Sequence, residues 1–257
     1  MSPTLSGAVL RSEWTKARTL RSTPWLLLTT FVITVGSNVA FAFAIRNSFD
    51  RMPFEDQQNF DPVYSGFIGL SFGQIVLLAY GVLLVTSEYT SGTILPSLAA
   101  VPGRGAFYLA KWLSGTLAAL AVSVVTVYLS FFLGQWALGP HGTTFTDGGV
   151  LRATVGGRLY MTLVCSFAMG VAAMLRSSVT SLVILIPLFF FVSPMLNNIS
   201  ALQPVAQFLP DQAAMRMIEV VPNDESVLGP GTGLLVMLAW NVATLLGGYL
   251  VLRRRDA

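Results

Sequence analysis

The chain reads as an all-α integral membrane protein with six transmembrane helices. Three observations predict this. Charged residues make up only 11% of the 257 residues and hydrophobic ones 54%, against about 25% charged in soluble domains. Apolar runs near the roughly 20 residues that cross a bilayer recur at 25–45, 63–86, 112–138, 159–175, 179–196 and 233–252. None of the six contains Asp, Glu, Lys, Arg or His, each of which is costly at the centre of a spanning helix. The reading is a single transmembrane domain over 1–257, with the first span retained rather than cleaved as a signal peptide, because its apolar run is long and five more follow.

Residues 5–22 precede the first span. Leu10, Trp14, Ala17 and Leu20 recur at helical spacing, with Arg11, Lys16 and Arg18 on other faces. That pattern predicts a basic amphipathic helix lying on the membrane surface; the competing reading is a solvated basic tail. The basic residues also orient the spans. With the N-terminus inside, Arg11, Lys16, Arg18, Arg21, Arg104, Lys111, Arg176, Arg253, Arg254 and Arg255 fall on the cytoplasmic side. Five fall outside: Arg46, Arg51, Arg152, Arg158 and Arg216. The bias predicts cytoplasmic N- and C-termini, and it accounts for the net charge of +3 without any role in nucleic-acid binding.

In the second span, Gly69 and Gly73 allow a neighbouring helix to approach closely. The fourth and fifth spans, separated by Arg176, Ser177 and Ser178, predict a tight hairpin. Pro187 and Pro194 predict a kink or an end in the fifth span. Residues 197–230 are too apolar for a solvated loop, and Pro204 and Pro210 break them too often to span. Short helices in the outer leaflet, packed on the bundle, are the expectation.

The chemistry missing from the sequence narrows the function. No Gly is followed by Lys, so there is no Walker-type phosphate loop. The spans hold no ionisable relay of the kind that ion-coupled carriers use. The one histidine, His141, and the one cysteine, Cys165, suggest neither a catalytic dyad nor a metal site, and the chain is not expected to be an enzyme. Uncharged polar residues remain within the spans. Asn38, Gln74, Thr126 and Asn241 are the candidate lining of a translocation path, with interhelical hydrogen bonding as the plainer reading.

The 88–111 connection is the most informative. Gly92 suits a sharp turn, after which Thr93 can cap a short helix carrying Ile94, Leu95 and Leu98. Pro102 and Gly103 end it, and Arg104 and Lys111 re-anchor the chain. Glu88, Gly92-Thr93, Leu98, Pro102, Arg104 and Lys111 resemble the pattern of ABC-2 type transporter permeases, the membrane subunits of bacterial ATP-driven exporters. Ser12-Glu13-Trp14-Thr15-Lys16 and Leu209-Pro210 resemble that family too, whereas Pro96 departs from it. The resemblance implies that 88–111 is a cytoplasmic coupling element. Glu88, Gly92, Thr93, Ile94, Leu95, Leu98, Pro102 and Arg104 would dock an ABC ATP-binding subunit, two copies of which bind ATP and Mg. It also implies a second permease copy or paralogue, and residence in the cell membrane. The alternative is a membrane sensor or immunity-type binding protein that does not transport.

Overall fold

The computed structural model describes residues 7, 15, 22–58, 60–94, 103–220 and 227–254. Among them all regular structure is helical. The elements are α1 (Ser22–Ser48), α2 (Phe54–Gln58), α3 (Pro62–Ser65), α4 (Leu70–Thr90), α5 (Arg104–Leu138) and α6 (Val150–Leu175). They continue with α7 (Ser178–Pro187), α8 (Ser193–Asn197), α9 (Gln203–Ala206), α10 (Pro210–Met215) and α11 (Pro230–Arg254). Six helices are long and apolar enough to cross a membrane: α1, α4, α5, α6, the run from α7 through α8, and α11. The predicted surface helix over 5–22 lies outside the described residues apart from Gly7, Thr15 and Ser22.

α4 and α6 form the centre. α6 packs against α4, α5 and α11, while α1 lies across α4 and α5, and α7 lies on α4. Leu77, Leu78, Tyr80, Met161, Val164, Cys165 and Ala168 fill the middle of this core. The other spans turn apolar side chains outward, among them Val32, Leu129, Val183 and Val242. That is stable where lipid is the solvent.

The helices extend past the apolar runs. α5 begins at Arg104 and α6 at Val150, roughly two turns before the hydrophobic stretches, because adding a residue to an existing helix needs no further nucleation. The second span is shorter than its apolar run. Asp61 caps α3, its Oδ1 accepting from the backbone of Val63 at 2.8 Å and Tyr64 at 2.9 Å. A turn follows α3, and α4 starts only at Leu70.

Gly69 and Gly73 make the close approach that their spacing predicts. A Cβ on Gly69 would overlap the Thr34 carbonyl of α1, and one on Gly73 would overlap the Thr34 hydroxyl. The α6–α7 hairpin is two residues long. Arg176 takes a left-handed conformation, and Ser177 caps α7 by accepting from Thr180 N at 3.3 Å.

Between its two prolines the fifth span widens into a π-helical turn, Leu188–Val192, in which Ser193 N–H donates to Leu188 O. The wider turn makes room for the Pro194 ring, which in a regular α turn would meet the carbonyl four residues back.

The 197–230 segment carries two short helices, each with proline in its first turn, where the missing N–H has no cost. α10 packs against α11 and α6. Trp240 Nε1 donates to Phe208 O at 2.9 Å, Arg152 Nη2 to Glu219 O at 2.6 Å, and Val220 N to Asp61 Oδ2 at 3.2 Å.

Replacing Gly73 by Ala should improve intrinsic helix propensity by about 1 kcal/mol yet destabilise the protein by about 1–3 kcal/mol net, because the new methyl collides with Thr34 in a packed interface. A lowered unfolding midpoint in detergent checks this.

Candidate functional site

The end of the bundle that carries the 88–111 connection holds a buried ion pair. Glu88 is in the last turn of α4 and Lys111 in the second turn of α5. Lys111 Nζ lies 2.9 Å from Glu88 Oε1, and both residues are 7% exposed. The ammonium also sits 5.4 Å from the centroid of the Phe107 ring, which adds a cation–π attraction. Val85, Tyr108, Lys111, Trp112 and Met169 line a cavity of about 10 Å³ beside the pair, room for one water and not for a transported molecule.

Three further contacts close this end. Arg104 Nη1 donates to Leu252 O at 3.2 Å, Arg176 Nη2 to Val251 O at 3.0 Å, and Tyr108 Oη to Leu245 O at 3.2 Å. All three acceptors belong to α11. The Arg176 guanidinium also stands 5.4 Å from the centroid of the Tyr89 ring. Arg176 has φ +55°, the one non-glycine with positive φ among the described residues. For an L-residue that conformation costs about 1–2 kcal/mol.

The predicted docking residues therefore divide. Glu88 and Ile94 are each 7% exposed, whereas Arg104 is exposed, with Nη1 on Leu252 O. Gly92, at φ +68°, and Thr93 lie exposed in the turn after α4; Thr93 Oγ1 is 2.8 Å from Ser91 Oγ. Leu95, Leu98 and Pro102 lie outside the described residues.

The candidate path residues are all buried inside the chain. Asn38 uses both ends of its amide. Nδ2 donates to Ser130 O at 2.9 Å, and Oδ1 accepts from Gly69 N at 3.3 Å, so one side chain joins α1, α5 and α4. Gln74 Oε1 accepts the Tyr160 hydroxyl and joins α4 to α6. Asn241 Nδ2 donates to Met237 O at 2.9 Å within α11. The Thr126 hydroxyl and Asn241 Oδ1 have no hydrogen-bond partner among the described residues.

Lys111 was legible as an anchor but not as the partner of Glu88. The roles of Tyr89, Tyr108 and Arg176 had no signal beyond position, since their partners lie on distant helices. Asp211 lies at the opposite end, in α10. It is 2% exposed. Burial pushes its carboxyl up to about 6, partly offset by the hydrogen bond that Gln212 Nε2 donates at 2.8 Å.

Among the described residues no group of three or more His, Cys, Asp or Glu is placed to hold a metal. Six helices long and apolar enough to cross a bilayer define a multi-pass membrane protein. The family model described as ABC-2 family transporter protein matches residues 8–257. The chain belongs to the ABC-2 transporter permease family, a membrane transport component that is not itself catalytic. No curated protein matches the chain.

Lys111→Met should cost about 3–5 kcal/mol, because it leaves a buried carboxylate without its counter-charge. Combining it with Glu88→Leu should recover most of that loss. Unfolding midpoints of the single and double variants in detergent measure the difference.

Asp211 gives a pH prediction. Its proton is held up to about pH 6 in the folded protein but only to an ordinary 3.8 when unfolded. Between those values the folded state binds more protons, so stability falls as pH rises. The loss should total roughly 3 kcal/mol by neutral pH. Asp211→Asn should flatten the dependence between pH 4 and 7, read from unfolding midpoints across that range.

Proposed function

We propose that the chain is the permease subunit of an ATP-driven exporter in a cell membrane, with both termini cytoplasmic. ATP and Mg are bound by two copies of a separate ABC ATP-binding subunit, and two permeases, identical or paralogous, complete the transporter. The observation that carries this reading is the 88–111 connection in a chain of this family. The buried Glu88–Lys111 pair joins its two ends through a 2.9 Å contact between Nζ and Oε1, while Gly92 and Thr93 between them are exposed. A connection joined at its base, with an exposed turn after α4, suits a lever pushed by a partner. Docking then runs through Gly92, Thr93, Leu95, Leu98 and Pro102, with Glu88 and Ile94 shaping the lever from within and Arg104 tying its far end to α11.

Energy supply supports the same reading. The apolar runs have neither a phosphate-binding loop nor an ionisable relay, so work against a gradient must come from another subunit. Uncharged span interiors favour an amphipathic or hydrophobic substrate: a drug, an antibiotic, a lipid or a peptide.

Thr93→Asp combined with Leu98→Asp should lower copurification with the co-expressed ATP-binding subunit at least tenfold and abolish ATP-dependent transport in vesicles. The unfolding midpoint should not change. Undisturbed association and flux would refute docking at this loop, and ligand binding without ATP-dependent flux would favour a non-transporting sensor.

A further inference from the structure

Two arginines from different connections meet on adjacent carbonyls of one helix. Arg104 opens α5 at one end of the 88–111 connection and donates to Leu252 O at 3.2 Å. Arg176, in the α6–α7 hairpin, donates to Val251 O at 3.0 Å. Its guanidinium also packs on Tyr89, at the other end of the same connection. Tyr108, one turn into α5, reaches Leu245 O of α11. Both ends of the connection thus converge on the last turns of α11.

The chemistry suits a firm grip. Val251 and Leu252 are among the last four residues of α11, whose carbonyls have no intrahelical donor. They also form the negative end of the helix dipole, where cations bind favourably. Arg176 makes its contact from a left-handed backbone in which glycine or asparagine is the favoured residue. The backbone gains nothing from arginine there. Its side chain alone accounts for the residue, and that side chain spans from α4 to α11.

We propose that Arg176, together with Arg104, is the positioning linkage that makes α11 move with the 88–111 connection, so that a push on the connection displaces the sixth span. This rests on the reading of the chain as an ATP-driven permease. A helix cap that merely stabilised α11 would leave its nucleotide-dependent motion intact, and that separates the two roles.

The test uses the full permease with its ATP-binding subunit in lipid nanodiscs. Spin labels replace Leu28 on α1 and Leu250 on α11, both exposed. The distance distribution is compared without nucleotide and with Mg-ATP plus vanadate. The wild-type background should show a nucleotide-dependent shift. Arg176→Gly, which relieves the backbone, should keep the unfolding midpoint and subunit binding but lose at least half of the shift. Arg104→Gln with Arg176→Gly should abolish it, and Arg176→Lys, which keeps the charge, should restore part of it. Arg176→Asn tolerates the same backbone and should behave as Arg176→Gly, so the comparison stands even where the glycine variant misfolds. A full shift in the assembled Arg176→Gly or Arg176→Asn complex overturns the linkage alone. A wild-type chain that binds no ATP-binding subunit overturns the functional reading and the linkage with it.

Discussion

Taking a carboxylate and an ammonium out of water costs several kcal/mol for each ion, and the attraction between them offsets this only when the geometry is good. Glu88 and Lys111 satisfy that condition at 2.9 Å, with the Phe107 ring on the ammonium. The two residues lie 23 positions apart on helices that share few other contacts. Their pairing therefore fixes how the end of α4 sits against the start of α5, and with it the base of the connection between them.

Different forces hold the rest of the bundle at different depths. In the middle, lipid removes most of the hydrophobic drive for helices to associate, and close packing with interhelical hydrogen bonds takes over. Gly69 and Gly73 bring α1 within contact of α4, and the Asn38 amide then bonds to both α4 and α5. Gln74 and Tyr160 do the same between α4 and α6. At the connection end, charge dominates, with Arg104 and Arg176 on the α11 carbonyls. At the opposite end, Asp61 caps α3 with one oxygen and takes Val220 N–H with the other, drawing the proline-broken segment onto the bundle.

Asn38, Gln74 and Tyr160 join neighbouring helices, while Thr30, Thr34, Thr86 and Thr154 bond within their own helix, and the buried Glu88–Lys111 pair lies at the connection end. The strained conformation at Arg176 falls at the same end. Backbone strain persists only where surrounding contacts over-determine it, and the contacts here run to two other helices.

The amino-acid sequence by itself determined the membrane class, the six spans, the tight α6–α7 hairpin, the disturbance between Pro187 and Pro194, and the close approach at Gly69 and Gly73. Each is a local property: apolar length, proline chemistry or the absence of a side chain acts within a few residues, whatever the rest of the chain does. Helix ends were less legible, because hydrophobicity marks the depth of the bilayer and not where hydrogen bonding stops, as Arg104 and Val150 show. Only the tertiary structure decided the partners. Arg104 meets Leu252 across 148 residues and Asn38 meets Ser130 across 92, while Asp211 becomes buried although nothing next to it in sequence marks it so. Nothing local distinguishes an arginine that will cap a distant helix from one that faces water. That choice follows from which helices pack together, and packing is a property of the whole bundle.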